Sequence, residues 1–146
     1  MAAYRGHPTA HLLPHHPTAV RETLYALRQR HPGAKLLCVF EPRSATACRR
    51  LHQHDYPPSF RAADEVLLAP LGRSSLPLEE QLDLDALCAD LARQGTPAHR
   101  FTSIERIVDA IAARAEPGNV VALLSNGAFG GIHAKVLRRL APKDAS

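Results

Sequence analysis

Apolar residues recur along the chain with two different periods. Val20, Leu24, Tyr25 and Leu27 follow Pro17 at helical spacing, with proline in the first turn where its missing N–H costs nothing, so a helix is predicted over residues 17–31. "KLLCVF", residues 35–40, is a short unbroken apolar run after "HPGA", as expected of a strand buried on both faces of a parallel sheet. The alternation then repeats. "DEVLLA" at 64–69 reads as a strand, a polar and proline-rich connection fills 70–82, and "LDLDALCADLARQG" gives a helix with Leu84, Leu87, Cys88 and Leu91 on one face and Gly95 as its stop. "PAHRF" at 97–101 is a third strand. Thr102 and Glu105 have capping-box spacing before a helix carried by Ile104, Ile107, Val108 and Ile111, which "PG" at 117–118 breaks. "NVVALL", 119–124, is the clearest strand, and Ile132, Val136, Leu137 and Leu140 make the last helix amphipathic. Strand and helix in strict alternation imply an α/β fold: a three-layer, Rossmann-like domain with a mostly parallel sheet.

Composition narrows the function. A chain of 146 residues with 45% hydrophobic and 22% charged residues fits one ordinary globular domain. No 18-residue apolar run and no signal-peptide pattern occur, so no membrane partner is expected and the cytoplasm is the expected location. The net charge of +4 comes from scattered arginines without interleaved aromatics, which argues against a nucleic-acid partner. Cys38, Cys48 and Cys88 form no C-x-x-C pair. Cys38 and Cys88 are expected to be buried, and Cys48, beside Arg49 and Arg50, to be the most exposed. The scattered histidines indicate no metal cluster.

In open α/β sheets ligands bind beyond the carboxyl ends of the strands. Three loops should converge there: "FEPRSAT", "APLGRSS" and "LSNGAFGG". In the first, Arg43, Ser44 and Thr46 follow a strand, where a guanidinium can take a carboxylate or phosphate in two parallel hydrogen bonds, or can pair with Glu41. In the last, Ser125 and Asn126 carry hydrogen-bonding groups. Gly127, Gly130 and Gly131 let backbone N–H groups approach an anion, or serve only the positive φ of a strand-to-helix turn. No G-x-x-x-x-G-K-[ST] or G-x-G-x-x-G occurs, so the chain has no ATP phosphate cradle of its own. His15 and His16 stand at the entry of the first helix, near its positive end, where a neutral hydrogen-bonding role is favoured.

Taken together, "HHPTAVRETL", "FEPRSAT" and "SNGAFGGIHAKVL" resemble, in this order, the C-terminal domain of Mur ligases, and its peptidoglycan-recycling members most. The similarity covers roughly residues 15–142, leaving 1–14 as a non-family N-terminal segment and 143–146 as a tail. The resemblance implies a ligase in which an N-terminal domain binds the UDP-sugar, a central P-loop domain binds ATP and magnesium, and the C-terminal domain positions the incoming amine. In the recycling members that amine is the muropeptide L-Ala-γ-D-Glu-meso-diaminopimelate, joined to UDP-N-acetylmuramate. It further implies that His15, His16, Arg43, Ser44, Thr46, Ser125, Asn126, Gly127, Phe129, Gly130 and His133 face the substrate cleft. Two positions depart from the pattern. Leu12 stands where the family has an Asp that contacts the ATP ribose, and Ala128 stands where it usually has Gly. Alone, without the P-loop and UDP-sugar domains, the chain is expected not to catalyse, either as a detached domain or as one part of a split enzyme. The other expectation is a stand-alone, non-catalytic muropeptide-binding module.

Overall fold

A computed structural model describes residues 2–4, 7–12, 16–72, 75–125, 127 and 129–140, with side chains described from residue 16 onward. Six strands form one sheet: β1 (Ala2–Tyr4), β2 (His7–Leu12), β3 (Leu36–Phe40), β4 (Glu65–Leu68), β5 (Ala98–Arg100) and β6 (Val120–Leu124). Their order is β1-β2-β6-β3-β4-β5, parallel throughout except for the antiparallel β1–β2 pair. The helices are α1 (Pro17–Arg30), a single turn α2 (Tyr56–Ser59), α3 (Leu84–Arg93), α4 (Ile104–Arg114) and α5 (Ile132–Leu140).

Because successive residues of a strand point to opposite faces, the apolar runs split cleanly into two cores. Leu36, Cys38 and Phe40 of β3 join Val120, Ala122 and Leu124 of β6 beneath α1, α2 and α3. Leu37, Val39, Val121 and Leu123 pack on Ile107, Ile111, Ile132 and Val136 of α4 and α5. The three-layer α/β architecture is therefore observed as expected.

Three local expectations change. The chain before residue 17 carried no expected element, yet β2 pairs in parallel with β6, Thr9 opposite Val121 and Leu12 opposite Leu124. "HPTAHL" shows no apolar alternation; its strand is held by the backbone ladder that β6 offers. The α4 cap is Ser103, whose Oγ accepts from Arg106 N, and not Thr102. Phe101 N still donates to Leu68 O at 2.9 Å, so the chain stays extended past β5 and turns one residue later. Cys48, expected to be exposed, is fully buried, and its thiol donates to Pro42 O at 3.0 Å. Its carbonyl also accepts from Leu82 N, which draws the segment inward while Arg49 and Arg50 face solvent.

Asp64 joins three elements at the amino edge of the sheet. Its Oδ2 accepts from Leu36 N at 2.7 Å and from the Arg28 guanidinium at 2.6 Å. Partial burial pushes its carboxyl upward, but the Leu36 N–H, the Arg28 hydrogen bond and the charges of Arg28 and Lys35 outweigh it and hold the pKa below the ordinary 3.8. A carboxyl with a depressed folded pKa contributes stability that is full above its unfolded pKa and is lost as pH falls through the folded one. Urea unfolding should therefore show a loss of stability below about pH 4 that is reduced in Asp64→Asn. Parallel pH profiles for the two proteins would remove Asp64 from this role.

Candidate functional site

The carboxyl edge gathers the described residues that follow β6, β3, β4 and β5, so residues distant in sequence meet there. At its centre lies a short buried chain of hydrogen bonds. Glu41, 7% exposed, leaves β3 with its N–H bound to Leu124 O at 2.9 Å, and its Oε1 accepts from Ser125 Oγ at 2.7 Å. Ser125, fully buried, in turn accepts from Gly127 N at 3.1 Å. A buried carboxylate is costly unless it is hydrogen-bonded and compensated by charge. Here the Ser125 hydroxyl supplies the bond and the Arg43 guanidinium, 4.0 Å from Oε1, supplies the charge.

Arg43 lies across two glycines. A Cβ on Gly127 would come within 2.3 Å of Arg43 Cδ and 2.4 Å of Nε. One on Gly72 would meet Arg43 Cγ at 2.8 Å and Cα at 3.1 Å. Gly72 is held there because its N–H donates to Pro42 O at 2.8 Å. The arginine stem is thus seated between the loops after β4 and β6 while its side chain stays 46% exposed. A half-exposed guanidinium on a fixed stem suits an anionic group arriving from solvent. The alternative expected for Arg43, a pairing with Glu41, is observed, and its side chain keeps an exposed face.

The other expected site residues have separate duties. Ser44 Oγ accepts from Ala47 N at 2.9 Å, which shapes the turn after Arg43. Thr46 is exposed, and its carbonyl accepts from Arg49 N. His16 caps α1: its Nδ1 accepts from Thr18 N at 3.2 Å, so the ring proton of a neutral His16 sits on Nε2. The ring is 4.8 Å from that of His52, edge to face. Phe129 is fully buried with φ at 51°, a left-handed conformation unusual for an aromatic residue, and it anchors the last loop in the α4–α5 core. Gly130 has φ at 57°, and a Cβ there would meet Ile104 Cγ1 at 3.1 Å, so this glycine serves both the turn and a close approach. His133 is half-buried in the first turn of α5. His15, Asn126 and Ala128 lie outside the described residues.

Glu41 and Gly72 complete the seat of Arg43, and sequence reasoning named Glu41 only as an alternative partner. The Glu41–Ser125 bond spans 84 residues, and no local pattern reports it. Among the described residues, no group of His, Cys, Asp and Glu is arranged to hold a metal ion, and no helix is long and apolar enough to cross a membrane.

A family model described as "Mur ligase, glutamate ligase domain" matches residues 14–127. The UDP-N-acetylmuramate–L-alanyl-gamma-D-glutamyl-meso-2,6-diaminoheptandioate ligase of Haemophilus influenzae is 40% identical over 129 residues, which is 86% of this chain and 26% of that protein. The ligase of the same name from Escherichia coli is 39% identical over 130 residues, 88% of this chain and 26% of its own length. The chain thus spans about a quarter of the length of these curated relatives. Among solved structures, a domain of a putative ligase of this kind from Haemophilus ducreyi superposes with a TM-score of 0.74 at 30% identity, covering 96% of each chain. A murein peptide ligase from Psychrobacter arcticus gives 0.73 at 26% identity over 92% of this chain and 27% of that one. On this agreement of sequence and fold, the chain belongs to the Mur ligase family, as a Mur ligase C-terminal domain.

Proposed function

We propose that this domain serves a peptidoglycan-recycling ligase, presenting the muropeptide L-Ala-γ-D-Glu-meso-diaminopimelate for ATP-dependent joining to UDP-N-acetylmuramate. The seating of Arg43 carries the reading. Its stem lies between Gly72 and Gly127, and its guanidinium is half-exposed at the carboxyl edge, suited to a substrate rich in carboxylates. The relatives whose names specify this peptide are 40% and 39% identical to the chain.

The domain's share of the reaction is positioning. Arg43 takes a peptide carboxylate, and the loop after β6 closes one side of the cleft. Fixing the amine relative to an acyl acceptor converts a bimolecular encounter into an oriented one, which can supply several orders of magnitude in rate. ATP and magnesium, which would activate the muramyl carboxylate as an acyl phosphate, are assigned to a P-loop domain; the described residues of this one offer no metal-binding cluster. Leu12, in place of the family's ribose-contacting Asp, lacks the carboxylate that makes that contact.

The test is reconstitution. The chain, mixed with a polypeptide carrying the UDP-sugar and P-loop domains, should restore ATP-dependent formation of the UDP-N-acetylmuramyl tripeptide. No product under conditions where the intact relative is active would overturn the ligase reading. A second reading, a non-catalytic muropeptide-binding module, is favoured by the fact that the Arg43 seat is built wholly from this chain. That reading predicts saturable heat when the chain alone is titrated with the tripeptide.

A further inference from the structure

Pro70 and Leu71, which precede the Gly72 that abuts Arg43, line a cavity of about 500 Å³ at the carboxyl edge. Its walls combine both signs of charge with apolar residues: Arg50 and Arg100, Asp83 and Asp85, and Leu71 and Leu78. The pattern is that of a site for a zwitterion on an aliphatic arm. A carboxylate needs guanidinium donors, an ammonium needs carboxylate acceptors, and the methylenes between them need apolar walls.

The polar groups are held in place yet keep capacity for a ligand. Gln53, 6% exposed, clamps the Asp83 backbone with two hydrogen bonds, Nε2 to Asp83 O at 3.0 Å and Asp83 N to Oε1 at 2.8 Å. Asp83 Oδ1 caps α3 through Ala86 N at 3.0 Å, which leaves Oδ2 for an ammonium. Arg50 donates through Nε to Gln81 O at 3.3 Å, which leaves its terminal nitrogens for a carboxylate. Arg100 and Asp85 pair with one another at 3.1 Å, but both are well exposed, 42% and 77%. Such surface pairs contribute little, so exchanging them for the two ends of a zwitterion costs little.

The geometry points to this cavity as the subsite for the free amino-acid end of the diaminopimelyl residue. The inference rests on the peptide reading above and deepens it. Meso-diaminopimelate, once linked through one amine, ends in an ammonium and a carboxylate on a single carbon beyond three methylenes. Arg50, Arg100, Asp83 and Asp85 match that end, while Arg43, seated against Gly72 of the adjoining segment, takes a carboxylate nearer the linkage. Specificity for diaminopimelate is therefore set by the last residue of β5, by Arg50 and by the start of α3, and not by the glycine loop.

Three ligands test it by calorimetric titration of the 146-residue chain: the diaminopimelate tripeptide, the analogue with L-lysine in its place, and the dipeptide L-Ala-γ-D-Glu. The lysine peptide keeps the distal ammonium and lacks only the distal carboxylate. The wild-type chain should bind the diaminopimelate peptide roughly tenfold more tightly than the lysine peptide, as expected of one charge-assisted hydrogen bond. Arg100→Gln, at an exposed position where folding is little affected, should erase that preference and leave the dipeptide unchanged. Asp85→Asn should weaken both tripeptides severalfold and spare the dipeptide. Equal affinity of the wild-type chain for the two tripeptides, or an equal shift of all three ligands in Arg100→Gln, overturns the subsite and leaves the muropeptide reading standing. If no muropeptide binds the wild-type chain at millimolar concentration, the subsite and the stand-alone binding module both fall, and reconstitution alone decides the ligase reading.

Discussion

Replacing Gly127 by alanine is expected to raise the peptide KM of the reconstituted ligase roughly 10- to 100-fold, the loss that accompanies a charge-assisted contact, while leaving the domain's stability within about 1 kcal/mol. The new Cβ would lie 2.3 Å from Arg43 Cδ and 2.4 Å from Nε, so the arginine must leave its seat. What moves is the outer part of a flexible side chain, and the Gly127 backbone does not need a left-handed φ, so the fold tolerates the methyl group. Arg43→Ala should give the same kinetic loss. The double variant should be no worse than either single one, because both remove one interaction. Gly72→Ala should behave differently. There the added Cβ meets Arg43 Cβ at 3.0 Å and Cα at 3.1 Å, groups that cannot swing away, and a cost of about 1–3 kcal/mol in stability follows. An unchanged peptide KM in both Gly127→Ala and Arg43→Ala would mean that Arg43 is structural and touches no substrate.

This pair of glycines also shows where reading the sequence runs out. Gly127 was expected either to bring backbone N–H groups to an anion or to permit a turn. It makes room for an arginine 84 positions away, a role that depends on β3 and β6 being neighbours in the sheet. Gly130, by contrast, does what its composition suggested, with φ at 57°. The strands β3, β4 and β6 were legible because burial on both faces requires unbroken apolar runs, and their split into two cores followed from alternation alone. Strand β2 was not, since an element held by its neighbour's backbone ladder needs no apolar signature. Cys48 misled for a related reason. Its flanking arginines advertise solvent, but its environment is decided by Pro42 and Leu82, which the fold brings to it. Local chemistry thus predicted which loops would meet, and tertiary contacts decided how each residue in them is used.

The largest loss of stability is expected at Phe40, the last residue of β3 and the one from which the site loop departs. Its ring is fully buried, with the Tyr56 ring at 5.4 Å and the Phe60 ring at 5.5 Å, while those two stand 6.2 Å apart. Truncation to alanine removes the buried ring and leaves a cavity, a cost of about 3–5 kcal/mol, with roughly 0.5–1.5 kcal/mol more for each aromatic pair lost. Set against a typical total stability of about 5–15 kcal/mol, Phe40→Ala should fall close to the limit of folding, whereas Phe40→Leu should retain most of the packing. The two hydrogen bonds beside it connect this loss to function. Ala69 N donates to Phe40 O, and Glu41 N donates to Leu124 O, both at 2.9 Å, so the position of Phe40 sets where the Glu41 and Arg43 segment begins. Urea unfolding of Phe40→Ala should therefore show a shifted midpoint, and its peptide affinity should fall even at temperatures where the variant is folded. A destabilisation under about 2 kcal/mol would mean that the surrounding rings collapse into the space, and that the Arg43 seat is held from β6 and the Gly72 loop rather than from beneath.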